Sequence, residues 1–270
     1  MPELPEVETT LRGIEPLILN KTISSIIVRQ ASLRWPVPTQ LLKDKLINNN
    51  FSGIRRRGKY LILQSSKEFL IIHLGMSGSL RVAQEEDLKK HDHIDIIFED
   101  ESILRYCDPR RFGCFLWTDN PNSHFLLKNL GPEPLGNSFN GKYLFDLSRK
   151  RKVPIKNFIM NSKIVVGVGN IYASEALFKA KIRPTKQAGK VSLHNYQTLS
   201  EEIVSILRKS IDQGGTTLRD FVGSDNKPGY FKQQLEVYGR QGKECKICSS
   251  TLKNKVIGQR SSVYCPKCQK

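Results

Sequence analysis

No run of this 270-residue sequence is long and apolar enough to suggest a membrane span, and it carries no signal peptide or lipidation motif. It also lacks long internal repeats and low-complexity tracts. Acidic residues are scarce: 26 Asp and Glu stand against 43 Lys and Arg, a formal net charge of +17. These absences leave a soluble, intracellular chain whose positive excess seeks a polyanion. Nucleic acid is the first such partner and a membrane surface the competitor. No interface-like apolar surface is legible, so a monomer is expected. The length suits more than one domain.

Cysteine is present but poorly placed for disulfides. Four of the six form Cys245-x-x-Cys248 and Cys265-x-x-Cys268 with sixteen residues between the pairs, while Cys107 and Cys114 lie apart. In a reducing compartment, paired cysteines at this spacing hold metal, and four thiolates suit one tetrahedral structural zinc with no open position for catalysis. Between the pairs, Val256-Ile257 and Val263-Tyr264 flank Gly258-Gln259-Arg260-Ser261, which predicts a hairpin with an arginine at its tip.

The predicted elements change in kind along the chain. Leu4, Val7, Leu11 and Ile14 share a helical face, and Pro5 suits a first helical turn. β-rich runs follow at 22–29, 51–57, 60–64, 69–73, 79–82, 93–98, 103–106 and 114–118, with one helix at 39–48; short turns favour an antiparallel sandwich or barrel. The proline- and glycine-rich stretch from Leu130 to Gly136 reads as a linker. Helices are then expected at 143–151, 154–160, 170–180 and 192–213, and 223–229 reads as a loop.

Several stretches bear chemistry. With Met1 removed, Pro2 presents a secondary amine, and an α-amino group titrates at about 7.7–8.0, so part of it is a free nucleophile near neutral pH. Glu3 beside it can move protons; a tail that merely starts a helix is the plainer alternative. His73-Leu74-Gly75-Met76-Ser77-Gly78-Ser79 sets a methionine among small turn residues, and Asp108-Pro109-Arg110-Arg111-Phe112-Gly113 presents arginines and a phenylalanine beside turn formers. Apolar wedges flanking a cation suit the opening of a duplex, although either hydrophobe taken alone is more often core. Val165 to Glu175 puts glycines directly before a helix start, where backbone N–H groups attract phosphate. Arg149 to Lys152 and Lys156 add cations.

Together, in this order and over essentially the whole chain, these motifs resemble the bacterial formamidopyrimidine-DNA glycosylases. The resemblance implies an α+β fold: an N-terminal antiparallel β-sandwich with flanking helices (1–130), a linker (131–136), and a helix–two-turns–helix domain (137–222). A lesion-recognition loop with a short helix (223–237) and a zinc-finger β-hairpin (238–270) complete it, with damaged double-stranded DNA in the cleft between domains. It implies Pro2 as the Schiff-base nucleophile, Glu3 as the acid, and Glu6 in support. Lys59 would serve β-elimination and Arg260 δ-elimination. Met76, Arg110 and Phe112 would fill the void left by an extruded base. His91, Arg110 and Arg151 would contact DNA, and Lys156 and Asn170 would hold phosphates. Cys245, Cys248, Cys265 and Cys268 would bind one zinc, and no redox cofactor is needed. A bacterial cytoplasm, with the protein on the nucleoid when bound to DNA, is the implied location. The rivals are an oxidised-pyrimidine glycosylase of the endonuclease eight type and a non-catalytic zinc-finger protein that binds nucleic acid.

Overall fold

The computed structural model describes residues 2–83, 88–215 and 234–270. They form two compact units, one of residues 2–128 with 213–215 and one of 129–212 with 234–270. None of the described helices is long and apolar enough to cross a membrane.

The first unit is a sandwich of two four-stranded antiparallel sheets. One has the order β1-β6-β7-β5, with β1 at Ile23–Val28, β5 at Ser79–Ala83, β6 at Asp92–Phe98 and β7 at Ile103–Cys107. The other has the order β2-β3-β4-β8, with β2 at Gly53–Arg57, β3 at Tyr60–Ser65, β4 at Glu68–His73 and β8 at Cys114–Thr118. Every predicted strand is present, because short apolar runs between tight turns can bury a face only by pairing with neighbours. Their apolar side chains meet in one core that includes Phe51, Leu61, Ile72, Ile94, Phe98 and Phe115.

Helix α1, Leu4–Ile18, adds Val7, Leu11, Ile14 and Ile18 to that core. The period-3.6 stripe visible in the sequence is the face it buries. Helix α2 spans Thr39–Leu46 and buries Leu42 and Leu46.

Strands β5, β6 and β7 of the first sheet, with Arg29 just past β1, carry a buried ionic ladder that the sequence did not announce. Arg81 grips Asp92 through two bonds of 3.0 and 2.6 Å, and Arg105 grips Asp95 at 2.8 and 2.9 Å. Arg29 adds a third bond to Asp95 at 2.7 Å. Burial, the largest single cause, would raise both carboxyls, but the hydrogen bonds and charges of the arginines, with the Lys89 N–H at Asp92, together outweigh it and hold them below the usual range.

The second unit is helical, with α3 at Gly141–Ser148, α4 at Ile155–Ile159, α5 at Asn170–Lys179 and α6 at Leu193–Asp212. Helix α5 is buried on all sides from Ile171 to Phe178. The stretch read as a linker is bonded into this unit: Gly131 donates to the Ser162 carbonyl at 2.8 Å, and Val166 to that of Pro132 at 3.2 Å. Strands β9, Lys253–Ile257, and β10, Arg260–Tyr264, form the finger hairpin. Its two turn residues are Gly258 and Gln259, at φ 55° and 61°, a mirror-image turn matched to strand twist. Arg260 therefore opens β10, one residue past the tip where the sequence placed it, and pairs with Ile257.

Candidate functional site

The start of the chain is fixed by α1. Glu3 caps the helix: its backbone N–H donates to Glu6 Oε2 at 2.8 Å, and the Glu6 N–H returns a bond to the Glu3 side chain. This reciprocal box satisfies two helix-start donors at once. Pro2, Glu3 and Glu6 are all buried. A further link runs from α1 to the β2–β3 hairpin. Glu8 accepts from Arg56 Nε at 2.8 Å, and Arg56 donates to the Gly58 carbonyl at 3.1 Å. Gly58 and Lys59 form the turn of that hairpin, so the segment bearing Pro2 is tied to the turn bearing Lys59.

Lys59 also acts on His73. Burial first, then the Lys59 charge, pushes the imidazole down to about 4. It is neutral at pH 7, consistent with Nδ1 accepting the Gly75 N–H at 2.9 Å. Tyr60 packs against it, with ring centroids 4.7 Å apart and the rings tilted by 46°.

The two candidate wedge loops lie against each other. Met76 is 37 % exposed and Phe112 is 43 % exposed, more than core residues of their size show. The Arg110 guanidinium sits 5.0 Å from the centre of the Phe112 ring. A Cβ on Gly75 would meet the Gly113 nitrogen at 2.5 Å, so the loops touch backbone to backbone. His91 joins the same cluster through its carbonyl, which accepts the Asp108 N–H at 3.0 Å. Asp108, which the sequence reading passed over, is fully buried among these residues.

In the second unit, Lys156 is fully buried and its ammonium reaches the finger hairpin, 2.7 Å from Ser262 Oγ and 3.3 Å from the Ser261 carbonyl. Asn170, the first residue of α5, donates to the same carbonyl at 3.2 Å. Both residues expected at phosphates thus brace the strand that begins with Arg260. Arg151 is exposed just after α3. Glu175, also missed, accepts the backbone N–H groups of Glu236, Val237 and Tyr238 at 2.8–3.0 Å. Burial raises its carboxyl, although those three bonds oppose the shift. The expected lesion loop lies outside the described residues.

The sulfurs of Cys245, Cys248, Cys265 and Cys268 all lie within 4.8 Å of one another. Tetrahedral zinc with bonds of about 2.3 Å implies sulfur separations of about 3.8 Å. The Cys248–Cys265 and Cys245–Cys268 separations of 3.5 and 3.9 Å match that cage. Four thiolates complete it, so the residues fit one structural zinc ion.

Comparison with known proteins gives this geometry a family. Models described as "Formamidopyrimidine-DNA glycosylase N-terminal domain", "Formamidopyrimidine-DNA glycosylase H2TH domain" and "Zinc finger found in FPG and IleRS" match residues 1–115, 130–222 and 242–270. The chain belongs to the formamidopyrimidine-DNA glycosylase family. It is 54 % identical to the Stutzerimonas stutzeri formamidopyrimidine-DNA glycosylase and 56 % identical to that of Saccharophagus degradans, in each case over all of both chains. Among solved structures it is similar to wild-type Lactococcus lactis Fpg (MutM) in complex with DNA containing N7-benzyl-Fapy-dG. That match has a TM-score of 0.91 at 35 % identity over all of both chains. The same enzyme with abasic-site DNA gives 0.92 at 35 % over 99 % of each. Like its family, this is a DNA glycosylase with AP lyase activity.

Proposed function

We propose that this enzyme excises oxidised purines, 8-oxoguanine and formamidopyrimidines, from duplex DNA through the amine of Pro2, and then cleaves the strand. The observation that carries the reading is the locked helix start: a buried Pro2 follows from a capping box and an apolar helix face, not from a frayed tail. Removal of Met1 exposes the amine. Its lone pair attacks C1′ as the glycosidic bond breaks, Glu3 manages the protons, and the base leaves. The C1′–O4′ bond then breaks, O4′ takes a proton as the sugar ring opens, and the resulting iminium acidifies the neighbouring sugar hydrogens. Loss of a C2′ proton then expels the 3′ phosphate, and a second elimination expels the 5′ phosphate.

Glu6 holds Glu3 in place through its backbone. Lys59 serves the first elimination and Arg260 the second. Extruding a base costs a few kcal/mol, less at a damaged site, and Met76, Arg110 and Phe112 offset that cost by filling the void. His91, Arg151, Lys156 and Asn170 serve the backbone, directly or by bracing the hairpin. Division of labour follows the predicted domains, with the nucleophile in 1–130 and much of the phosphate grip in 137–222 and 238–270. The partner is damaged duplex DNA, the working form a monomer, and the place the bacterial cytoplasm.

Borohydride reduction during incubation with an 8-oxoguanine·cytosine duplex should trap a covalent complex. Pro2→Gly with Met1 retained should abolish it. Equal trapping with Met1 in place would overturn the role of the amine. Faster excision of thymine glycol than of 8-oxoguanine would reassign the lesion class to oxidised pyrimidines.

A further inference from the structure

Asp108 gathers more loop contacts than any wedge residue. Its Oδ2 accepts the Gly113 N–H at 2.8 Å and the Tyr106 hydroxyl at 3.0 Å. Its Oδ1 accepts the Arg110 N–H at 3.3 Å and the Ser77 hydroxyl at 3.4 Å. The first three donors belong to β7 or to the loop that carries Arg110 and Phe112; Ser77 follows Met76 in the other loop. The Asp108 carbonyl also accepts the Arg111 N–H at 3.2 Å, where Arg111 is held at φ 56°. A non-glycine residue in that region needs surroundings that over-determine it. Tyr106 adds a second tie, since its hydroxyl lies 3.4 Å from the His73 carbonyl at the root of the Met76 loop.

We propose that Asp108 is a positioning residue that couples the two loops, so that Met76 and Phe112 enter the duplex as one wedge with Arg110. The inference rests on the DNA-opening reading above. A carboxylate suits the task because all four side-chain partners are donors, and it offers two acceptor oxygens to them. Asparagine would turn an NH2 toward two of those donors and leave buried groups unsatisfied. The loops would keep their residues and lose their common anchor.

The test separates wedge function from chemistry. An abasic site in single-stranded DNA needs no base extruded from a duplex, so borohydride trapping on it reads the Pro2 amine alone. Asp108→Asn should hold that trapping within about twofold of wild type. Its excision of 8-oxoguanine from duplex should fall by about 100-fold, the scale of a misplaced group far from the bond broken. A 2-aminopurine beside the lesion should lose its fluorescence rise to the same degree.

Coupling is then read directly. In the wild-type background Met76→Ala and Phe112→Ala should be strongly non-additive on duplex excision, and in the Asp108→Asn background they should become additive. Additivity already in wild type, or unchanged coupling without Asp108, overturns the proposal, as does an equal fall on both substrates. Tyr106→Phe, which removes a single donor, should show the same pattern at smaller size and carries the test if Asp108→Asn does not fold. Failure of wild type to trap the single-stranded abasic site would instead refute the amine reading itself.

Discussion

The two units bury charge in different ways, and the difference explains what each is for. In the sandwich, Arg105–Asp95 joins the neighbouring strands β7 and β6, and Arg81–Asp92 reaches from β5 across β7 to β6, so opposite charges fix register across β5, β6 and β7. In the second unit, Lys156 and Glu175 spend their bonds on other segments. Lys156 reaches Ser261 and Ser262 of the hairpin, and Glu175 gathers the N–H groups of Glu236 to Tyr238. Strand-to-strand pairs make a rigid plate on which loops can be aimed. Segment-to-segment ties let helices carry a small finger that could not fold on its own apolar content.

The strongest way to break this contrast is to remove the metal. Structural zinc of this kind is worth on the order of 10 kcal/mol to a small finger. Stripping it should abolish amide protection across β9 and β10 while the eight strands of the sandwich keep theirs; collapse of both together would show that the units are not separately stabilised. The same four-sulfur cage predicts that AP lyase turnover persists in EDTA for as long as the finger stays folded.

Next in size is Asp95→Asn, which takes from the buried Arg105 guanidinium its two-bond carboxylate partner, leaving Asp92 at 4.0 Å, and weakens the Asp95–Arg29 bond. Truncating one partner of a buried pair costs about 3–5 kcal/mol, to be read as a lowered urea midpoint of the first unit. A loss no larger than that of an exposed pair would remove the ladder from the account. Glu175→Gln should cost less, about 1–3 kcal/mol, because one carbonyl acceptor survives. Its signature is local: faster amide exchange at 236–238 with the sandwich unchanged.

The last expected effect is a pH dependence. His73 has a folded pKa of about 4, below its ordinary 6.5. Between those values the unfolded chain binds a proton that the folded one refuses, so stability falls as pH drops from 6.5 toward 4. His73→Asn keeps an acceptor for the Gly75 N–H and cannot titrate, so its melting temperature should fall less steeply in that window. An identical slope would mean that His73 does not carry the effect.

Much of the fold was legible because its signals are local. Short β-rich runs between turns produced all eight sandwich strands, and a single stripe produced α1. The cysteine spacing produced the metal cage, since two x-x knuckles can converge on one ion regardless of the rest. Met76 and Phe112, which taken singly read more as core than as surface, are exposed because large apolar residues in turns of glycine and serine have little local cover. Asp108 and Glu175 were not legible. Each looks like an ordinary acidic residue, one at a turn and one on a helix, and their partners stand up to 63 residues away in sequence. The phosphate role expected of Lys156 came with no hint that its ammonium would lie on a strand more than a hundred residues downstream.

The sequence by itself determined which groups are present and in what order: a proline at position 2, hydrophobic periods that dictate two kinds of unit, and four thiols at metal spacing. Tertiary structure decided which of these are held still. Burying a polar or charged group is tolerable only when donors or acceptors converge on it, and the convergence around Asp108, Lys156 and Glu175 exists only once strands and helices have packed.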